Sequence, residues 1–201
     1  MVEAGMTAGS WVMALIFVVI PLTAYLWRRG TGPRKVVISC AILTALWYAS
    51  QSTIHAASHA FGYFVSGAPA TSLQAIPDSW EGFFAAGSPG PGLTGTHWQR
   101  FLQLTAPFLV DGALLLLGSW LFQWRHKIAP FLGGLILTLT CLRSVFDLAN
   151  NYAAGVLRSS GDYQQLFSGY PALAVHAVTL LLLVLGLFLS WSEVGSARPE
   201  A

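Results

Sequence analysis

The sequence predicts an all-α integral membrane protein, with about five transmembrane helices forming a single polytopic domain over residues 1–201. Of the 201 residues, 55% are hydrophobic and only 9% are charged, and the mean hydropathy is +0.61, whereas soluble domains contain about 25% charged residues. The apolar residues also form five separate runs that meet or approach the roughly 20 residues needed to cross about 30 Å of hydrocarbon. The predicted spans are about 11–27, 36–64, 98–122, 128–156 and 170–191.

The basic residues predict the orientation of these spans. They concentrate in the loops after the first and third spans, as Arg28, Arg29, Arg34, Lys35, Arg125 and Lys127. The loops after the second and fourth spans contain one basic residue, Arg158. Because Lys and Arg are enriched on the cytoplasmic side of membrane proteins, we expect the N-terminus outside and the C-terminus in the cytoplasm. The net charge of +2 gives no reason to expect a nucleic-acid partner, and the lipid bilayer is the expected surroundings.

The outer loop of residues 65–97 joins the second and third spans and is long for a protein of this size. Its run Gly87–Gly92 cannot continue a helix or a central strand. The loop also contains Trp80, Phe83 and Phe84, so we expect it to lie on the membrane surface or to fold back toward the helices. Loops of this length are often functional or disordered.

Two histidines, His55 and His59, lie in the outer part of the second span. Residues four apart share one face of a helix, one turn above the other, so both imidazoles can reach a single metal ion. Gln51 lies one turn before His55 on the same face. Ionisable and polar groups are costly at membrane depth, so this stretch is a functional-site hypothesis.

Asp147 is predicted to lie at the same depth as His55. It follows Ile128, the inner end of the fourth span, by as many residues as His55 follows Val36, the inner end of the second. At 1.5 Å per residue, both lie about 28 Å above the inner edge. Two histidines and one carboxylate, with one position open for water, form a common catalytic zinc site. The sequence therefore predicts a zinc ion held by His55, His59 and Asp147.

The neighbours of Asp147 leave alternatives open. Arg143 lies one turn earlier and can pair either with Asp147 or with Asp111 in the third span, and the sequence does not decide between them. Asn150 and Asn151 lie about one turn beyond Asp147. They are candidates to orient a ligand, to hydrogen-bond a substrate backbone or to line a water-filled mouth.

The order of these features resembles the site-2 protease family of intramembrane zinc metalloproteases. That family has a helix with His-Glu-x-x-His, a second core helix with a Gly-Pro or related break, and a third with an aspartate ligand. Here the corresponding segments are His55-Ala-Ala-Ser-His59, Thr105-Ala-Pro107 and Phe146-Asp147-Leu-Ala-Asn-Asn151. The resemblance implies hydrolysis of a peptide bond in a transmembrane protein or peptide substrate, and a bacterial-type plasma (inner) membrane.

The sequence departs from the family at position 56, where the general-base glutamate is replaced by Ala56. A zinc ion still lowers the pKa of a bound water, but proton transfer to the leaving amine lacks its usual group. The resemblance therefore implies either a protease or a catalytically impaired homologue that binds zinc and a membrane-spanning peptide. Asn150 and Asn151 would stabilise the oxyanion or align the substrate. Glu81, in the outer loop, is the candidate for a substitute base.

Two interpretations from other functional classes remain. In the first, the chain is a haem- or pigment-binding subunit, with His55 and His176 on either side of a non-covalent haem. In the second, it is a non-enzymatic assembly subunit of a membrane complex, and the polar face of the second span forms hydrogen bonds between helices through Ser50, Gln51, Ser52 and His55. Small residues in the apolar runs permit close contact with another helix, so the sequence is compatible with homo- or hetero-oligomers.

Overall fold

The computed structural model describes residues 8–67, 95–159 and 161–195, and the helices account for nearly all of them, with no β-strand in these ranges. The described residues confirm the predicted all-α class, and five of the helices are long and apolar enough to cross a membrane. The predicted orientation stays a prediction. The helices are α1 (Ala8–Arg28), α2 (Pro33–Ser66), α3 (His97–Phe122), α4 (Pro130–Arg158), α5 (Gly161–Gly169) and α6 (Ala172–Gly195).

The predicted spans correspond to α1, α2, α3, α4 and α6, whereas α5 is a short helix that the sequence analysis did not predict. It lies between the predicted fourth and fifth spans. Most of the predicted outer loop, residues 68–94, lies outside the described residues, and so do Glu81 and the aromatic residues expected to contact the membrane surface.

Local sequence signals set the ends of α2 and α3. Pro33 occupies the first turn of α2, where a missing N–H costs no helical hydrogen bond. Gly67 ends the helix in the left-handed region, with φ at +65°, which glycine adopts without a steric cost. Thr96 and Gln99 form a capping box at the start of α3. The Gln99 side chain also donates to the Ser66 carbonyl at 2.9 Å, which joins the two helix ends.

Helix α4 is the centre of the bundle. It packs against α1, α2, α3, α5 and α6, and every residue from 141 to 149 is buried. A π-helical segment, Leu137–Leu142, lies directly before the polar part of the helix; such segments shift the faces that the following side chains occupy. On α2, Trp47 packs edge-on against Phe146, with ring centroids 4.8 Å apart. This aromatic contact lies one turn before Gln51 on α2 and next to Asp147 on α4.

Helices α2 and α3 approach closely at Gly62. A Cβ atom at this position would lie 2.7 Å from the Cβ of Ala106 and 3.2 Å from the Cα of Gln103. Real Cβ atoms do not approach other carbons as closely as 2.7 Å, so the helix spacing here requires glycine. His59 lies one turn earlier on α2, and the same spacing sets how far its ring is from α3.

We predict that Gly62→Leu lowers the stability of the protein in detergent by about 1–3 kcal/mol, the usual cost of overpacking. The added side chain must displace the α3 backbone rather than a flexible side chain. Thermal unfolding followed by circular dichroism measures the effect. Gly112→Ala on α3 is the control, because a Cβ there has no atom within 4 Å and should not destabilise the protein. Equal melting temperatures for Gly62→Leu and the unmodified protein would contradict this account of the helix spacing.

Candidate metal centre

Side chains from α2 and α5 meet in one cluster formed by His55, His59 and Asp162. The Oδ2 atom of Asp162 lies 3.2 Å from Nε2 of His55 and 3.1 Å from Nε2 of His59. One ligand atom from each residue lies within 4.8 Å of the other two. In a tetrahedral site with metal–ligand bonds of about 2.0–2.1 Å, ligand atoms are about 3.3 Å apart. The separations to Asp162 are therefore close to those of a metal-ligand set.

The other nitrogen of each histidine faces a hydrogen-bond acceptor. Nδ1 of His55 lies 2.8 Å from Oδ2 of Asp147, and Nδ1 of His59 lies 3.0 Å from the main-chain oxygen of Gln103. A carbonyl or a carboxylate only accepts, so in each neutral ring Nδ1 carries the proton and donates it. Each Nε2 atom faces Oδ2 of Asp162. With a metal ion between them Nε2 is a ligand, and without one Nε2 also carries a proton and donates it to the carboxylate. Metal-binding histidines characteristically donate their second nitrogen to a carboxylate or a carbonyl in this way.

Asp147 is held by three side chains. Its Oδ2 accepts from His55, and its Oδ1 accepts from Nε2 of Gln51 at 2.6 Å and from Nδ2 of Asn151 at 2.9 Å. The Asp147 side chain is only 4% exposed. The carboxylate therefore fixes the His55 ring from the side opposite to the one that faces Asp162.

The structure thus differs from the predicted ligand set at the third residue. It brings Asp147 to His55, as the depth comparison predicted, but at the Nδ1 atom. The carboxylate that lies between the two Nε2 atoms belongs to Asp162, which the sequence analysis did not select. The sequence does show an acidic residue in the loop at the same end of the bundle as the histidines. Nothing in that loop predicted the short helix that brings this residue to them.

Helix α5 positions Asp162 through its neighbour Tyr163. The Tyr163 ring is buried, and its hydroxyl is hydrogen-bonded to that of Thr179 on α6 at 3.0 Å. Gly155 on α4 permits the contact, because a Cβ there would lie 2.5 Å from the Cβ of Tyr163. The chain turns into α5 through Ser159 and Gly161, which both have positive φ angles. Docking of α5 on α4 and α6 therefore fixes the distance between Asp162 and the histidines.

The two histidine rings determine the ionisation of Asp162. Burial alone raises the pKa of this carboxyl, but hydrogen bonds and charge interactions with His55 and His59 outweigh burial and hold the pKa of Asp162 below its ordinary value. Asp162 therefore carries a negative charge at neutral pH. An ionised carboxylate is the form that binds a metal cation.

The remaining predicted site residues lie next to the cluster. Asn151 donates to Asp147, and Oδ1 of Asn150 accepts from the Ser10 hydroxyl of α1 at 2.8 Å. Both asparagine side chains therefore have hydrogen-bond partners within the bundle. Ala56 follows His55 on α2 and has only a methyl group, which cannot transfer a proton.

Arg143 forms its ion pair with Asp111, and both side chains are 1% exposed. This contact answers the question that the sequence left open, because the arginine pairs with Asp111 on α3 and Asp147 is free to accept from His55. Removing one partner from a buried ion pair leaves an uncompensated charge and is strongly destabilising. The pair therefore also holds α3 against α4 behind the cluster.

His176 belongs to a different group of side chains. Its Nδ1 atom lies 2.8 Å from the Tyr152 hydroxyl, and its ring stacks on Phe167 at a centroid distance of 4.4 Å. The haem interpretation requires an available ring nitrogen on both His55 and His176. One ring nitrogen of His176 is engaged by the Tyr152 hydroxyl, and the haem interpretation stays a prediction.

The cluster is partly exposed, because the side chains of His55 and His59 are 22% and 26% exposed. Three protein ligands are the pattern of catalytic zinc sites, which keep one position for water or substrate, whereas structural sites are closed by four protein ligands. The arrangement is suited to bind a divalent cation and leave one position for water or a substrate atom. No family model, no curated protein and no solved structure matches this chain.

Proposed function

We propose that this protein is a membrane-embedded zinc hydrolase of the site-2 protease kind, with the metal ion held by His55, His59 and Asp162. The observation that carries the proposal is the convergence of one oxygen and two Nε2 atoms, with both Nδ1 atoms engaged elsewhere. Nitrogen and oxygen ligands in this number suit zinc. The resemblance of the His55–His59 segment to the site-2 protease histidine motif supports the choice of reaction class.

The charge of the cluster also supports a divalent cation. With neutral histidines, Asp147 and Asp162 together contribute two negative charges in a largely buried region. Buried charges are costly unless they are compensated. One divalent cation compensates both carboxylates without protonating either histidine. In the absence of a cation, the same compensation requires two imidazolium ions beside each other.

The position of the cluster supports hydrolysis of a substrate bond that lies near the membrane surface. His55 lies about 33 Å along α2 from Pro33, at 1.5 Å per residue, which is close to the full thickness of the hydrocarbon core. We therefore propose a peptide bond of a membrane-spanning substrate, located near the end of the bundle opposite Arg28 and Arg34. A zinc ion at this position would supply Lewis-acid polarisation of the carbonyl and an activated water.

The protein's own residues would position this chemistry. Asp147 holds the His55 ring, and the Gln103 carbonyl holds the His59 ring, so both Nε2 atoms keep their direction. Packing of α5 on α4 and α6 brings Asp162 to the two Nε2 atoms. With Ala56 in place of the family's glutamate, we propose that proton transfer limits the rate, so the native protein binds its substrate well and hydrolyses it slowly.

We predict that the protein purified in detergent contains about one zinc ion per chain and that His55→Ala loses it. Removing one of three ligands leaves too few groups to retain zinc against dilute chelator. Inductively coupled plasma mass spectrometry measures the metal content. His126→Ala is the control, because His126 is exposed in the turn after α3, and it should keep the zinc. Equal zinc content in His55→Ala and His126→Ala would exclude this centre.

We predict that Asp162→Asn and Asp147→Asn differ in their effects on zinc binding. The first removes a charged ligand and should abolish stoichiometric zinc. The second keeps a hydrogen-bond acceptor near His55 and should weaken binding by about 10- to 100-fold, the usual cost of losing a partner of a metal ligand. Competition with a fluorescent zinc chelator measures both affinities. If zinc is lost in Asp147→Asn and retained in Asp162→Asn, Asp147 is the third ligand.

We predict that Ala56→Glu increases hydrolysis of a membrane-spanning reporter peptide in proteoliposomes by about 10²- to 10⁴-fold, the usual contribution of a general base. Glutamate at this position is adjacent to His55 and one turn before His59. Ala57→Glu is the control, because Ala57 is exposed and does not occupy the motif position. Gel analysis of the cleaved peptide measures the rate. No cleavage by a fully zinc-loaded Ala56→Glu protein would show that the centre binds zinc without supporting proteolysis.

A further inference from the structure

A groove runs between α1 and α2 in the half of the bundle that does not contain the histidines. It has a volume of about 630 Å³, and its walls include Thr23, Val37, Cys40 and Ala41. A second depression of about 420 Å³ shares Thr23 with the groove and extends along α1 to Arg28. The two depressions therefore form a path along the outside of the bundle that ends at Arg28.

Small side chains on α2 make room for the groove. Cys40, Ala41, Thr44 and Ala45 all line it, at positions that share one side of a helix. At the end toward the metal centre the groove is lined by Tyr48 and its stacking partner on α1, Trp11, with ring centroids 5.8 Å apart. From Val36 to Tyr48 the groove follows α2 for about 18 Å.

Basic residues lie at the ends of α1 and α2 next to the groove, and of these Arg28 lines the second depression. Arg34 and Lys35 are exposed in the first turn of α2, and Arg34 lies one turn before Val37 on the wall of the groove. Arg28 is also exposed, and one of its donors, Nη1, contacts the Gly195 carbonyl at 3.1 Å. Basic residues at the mouth of an apolar pocket between transmembrane helices are complementary to the head group of an anionic lipid.

We propose that the groove between α1 and α2 is a binding site for an anionic phospholipid, with an acyl chain against Thr23, Cys40 and Ala41 and the phosphate at Arg34 and Lys35. The volume is in the range of small-molecule sites. The lining of the groove includes none of His55, His59 and Asp162, so the proposal does not depend on the metal centre.

The test is native mass spectrometry of the full chain in nanodiscs containing equal amounts of phosphatidylglycerol and phosphatidylcholine. The unmodified protein should retain phosphatidylglycerol preferentially. Arg34→Gln with Lys35→Gln should lower its affinity for that lipid about 25-fold, or about fivefold for each basic residue removed. Lys127→Gln is the matched control, because Lys127 is an exposed basic residue beside Trp124, away from the groove, and it should leave retention unchanged.

A second variant tests the groove itself. Ala41→Phe places a large side chain in the apolar wall and keeps every charge, so it should also reduce retention of phosphatidylglycerol at least fivefold, with an unchanged melting temperature. Three results would overturn the proposal: equal retention of the two lipids, equal losses in Lys127→Gln and the double variant, or full retention in Ala41→Phe. Displacement of the lipid by millimolar inorganic phosphate would show a simple anion site and would overturn it as well.

Discussion

The buried carboxylate of Asp147 is the constraint on which the rest of the site depends. Taking an ionised carboxylate out of water costs several kcal/mol unless other groups replace the lost hydrogen bonds. Here Gln51 and Asn151 donate to one oxygen and His55 donates to the other. Those contacts join α2 to the centre of α4 and leave the Nε2 atom of His55 directed away from α4. Arg143 lies on the same helix and forms its ion pair with Asp111 rather than with Asp147.

Close packing of the helix backbones determines the positions of the other two members of the cluster, His59 and Asp162. Gly62 allows α3 to approach α2 closely enough for the Gln103 carbonyl to accept from His59. Gly155 allows Tyr163 to dock on α4 and so carries Asp162 to the histidines. Neither contact involves a charged group, yet each determines where a charged or metal-ligating group lies. The cluster is therefore a product of helix packing, and variants that alter helix spacing should alter it as much as variants of the ligands.

The sequence predicted the long helices and the shared face of His55 and His59, because hydropathy and helical periodicity depend on local residue order. The depth comparison also placed Asp147 beside His55. The third carboxylate of the cluster could not be obtained in this way. Asp162 lies on a short helix whose position depends on Tyr163, Gly155 and two residues with positive φ, and depth counting applies only to spans. The hydrogen-bond partner of Nδ1 of His59 is a main-chain oxygen, which no residue-type pattern reveals. Peptide hydrolysis rests on the resemblance to a family and stays a proposal.

X-ray absorption at the zinc edge of the zinc-loaded protein tests the central claim most directly. The account predicts a first shell of nitrogen and oxygen atoms at about 2.0–2.1 Å, with the outer-shell scattering of two imidazole rings. In Asp162→Asn the signal of this site should disappear. A sulfur shell at about 2.3 Å would place the zinc at Cys40 or Cys141 instead. That result, or a spectrum with fewer than two imidazoles, would contradict the assignment of His55, His59 and Asp162 as the metal centre.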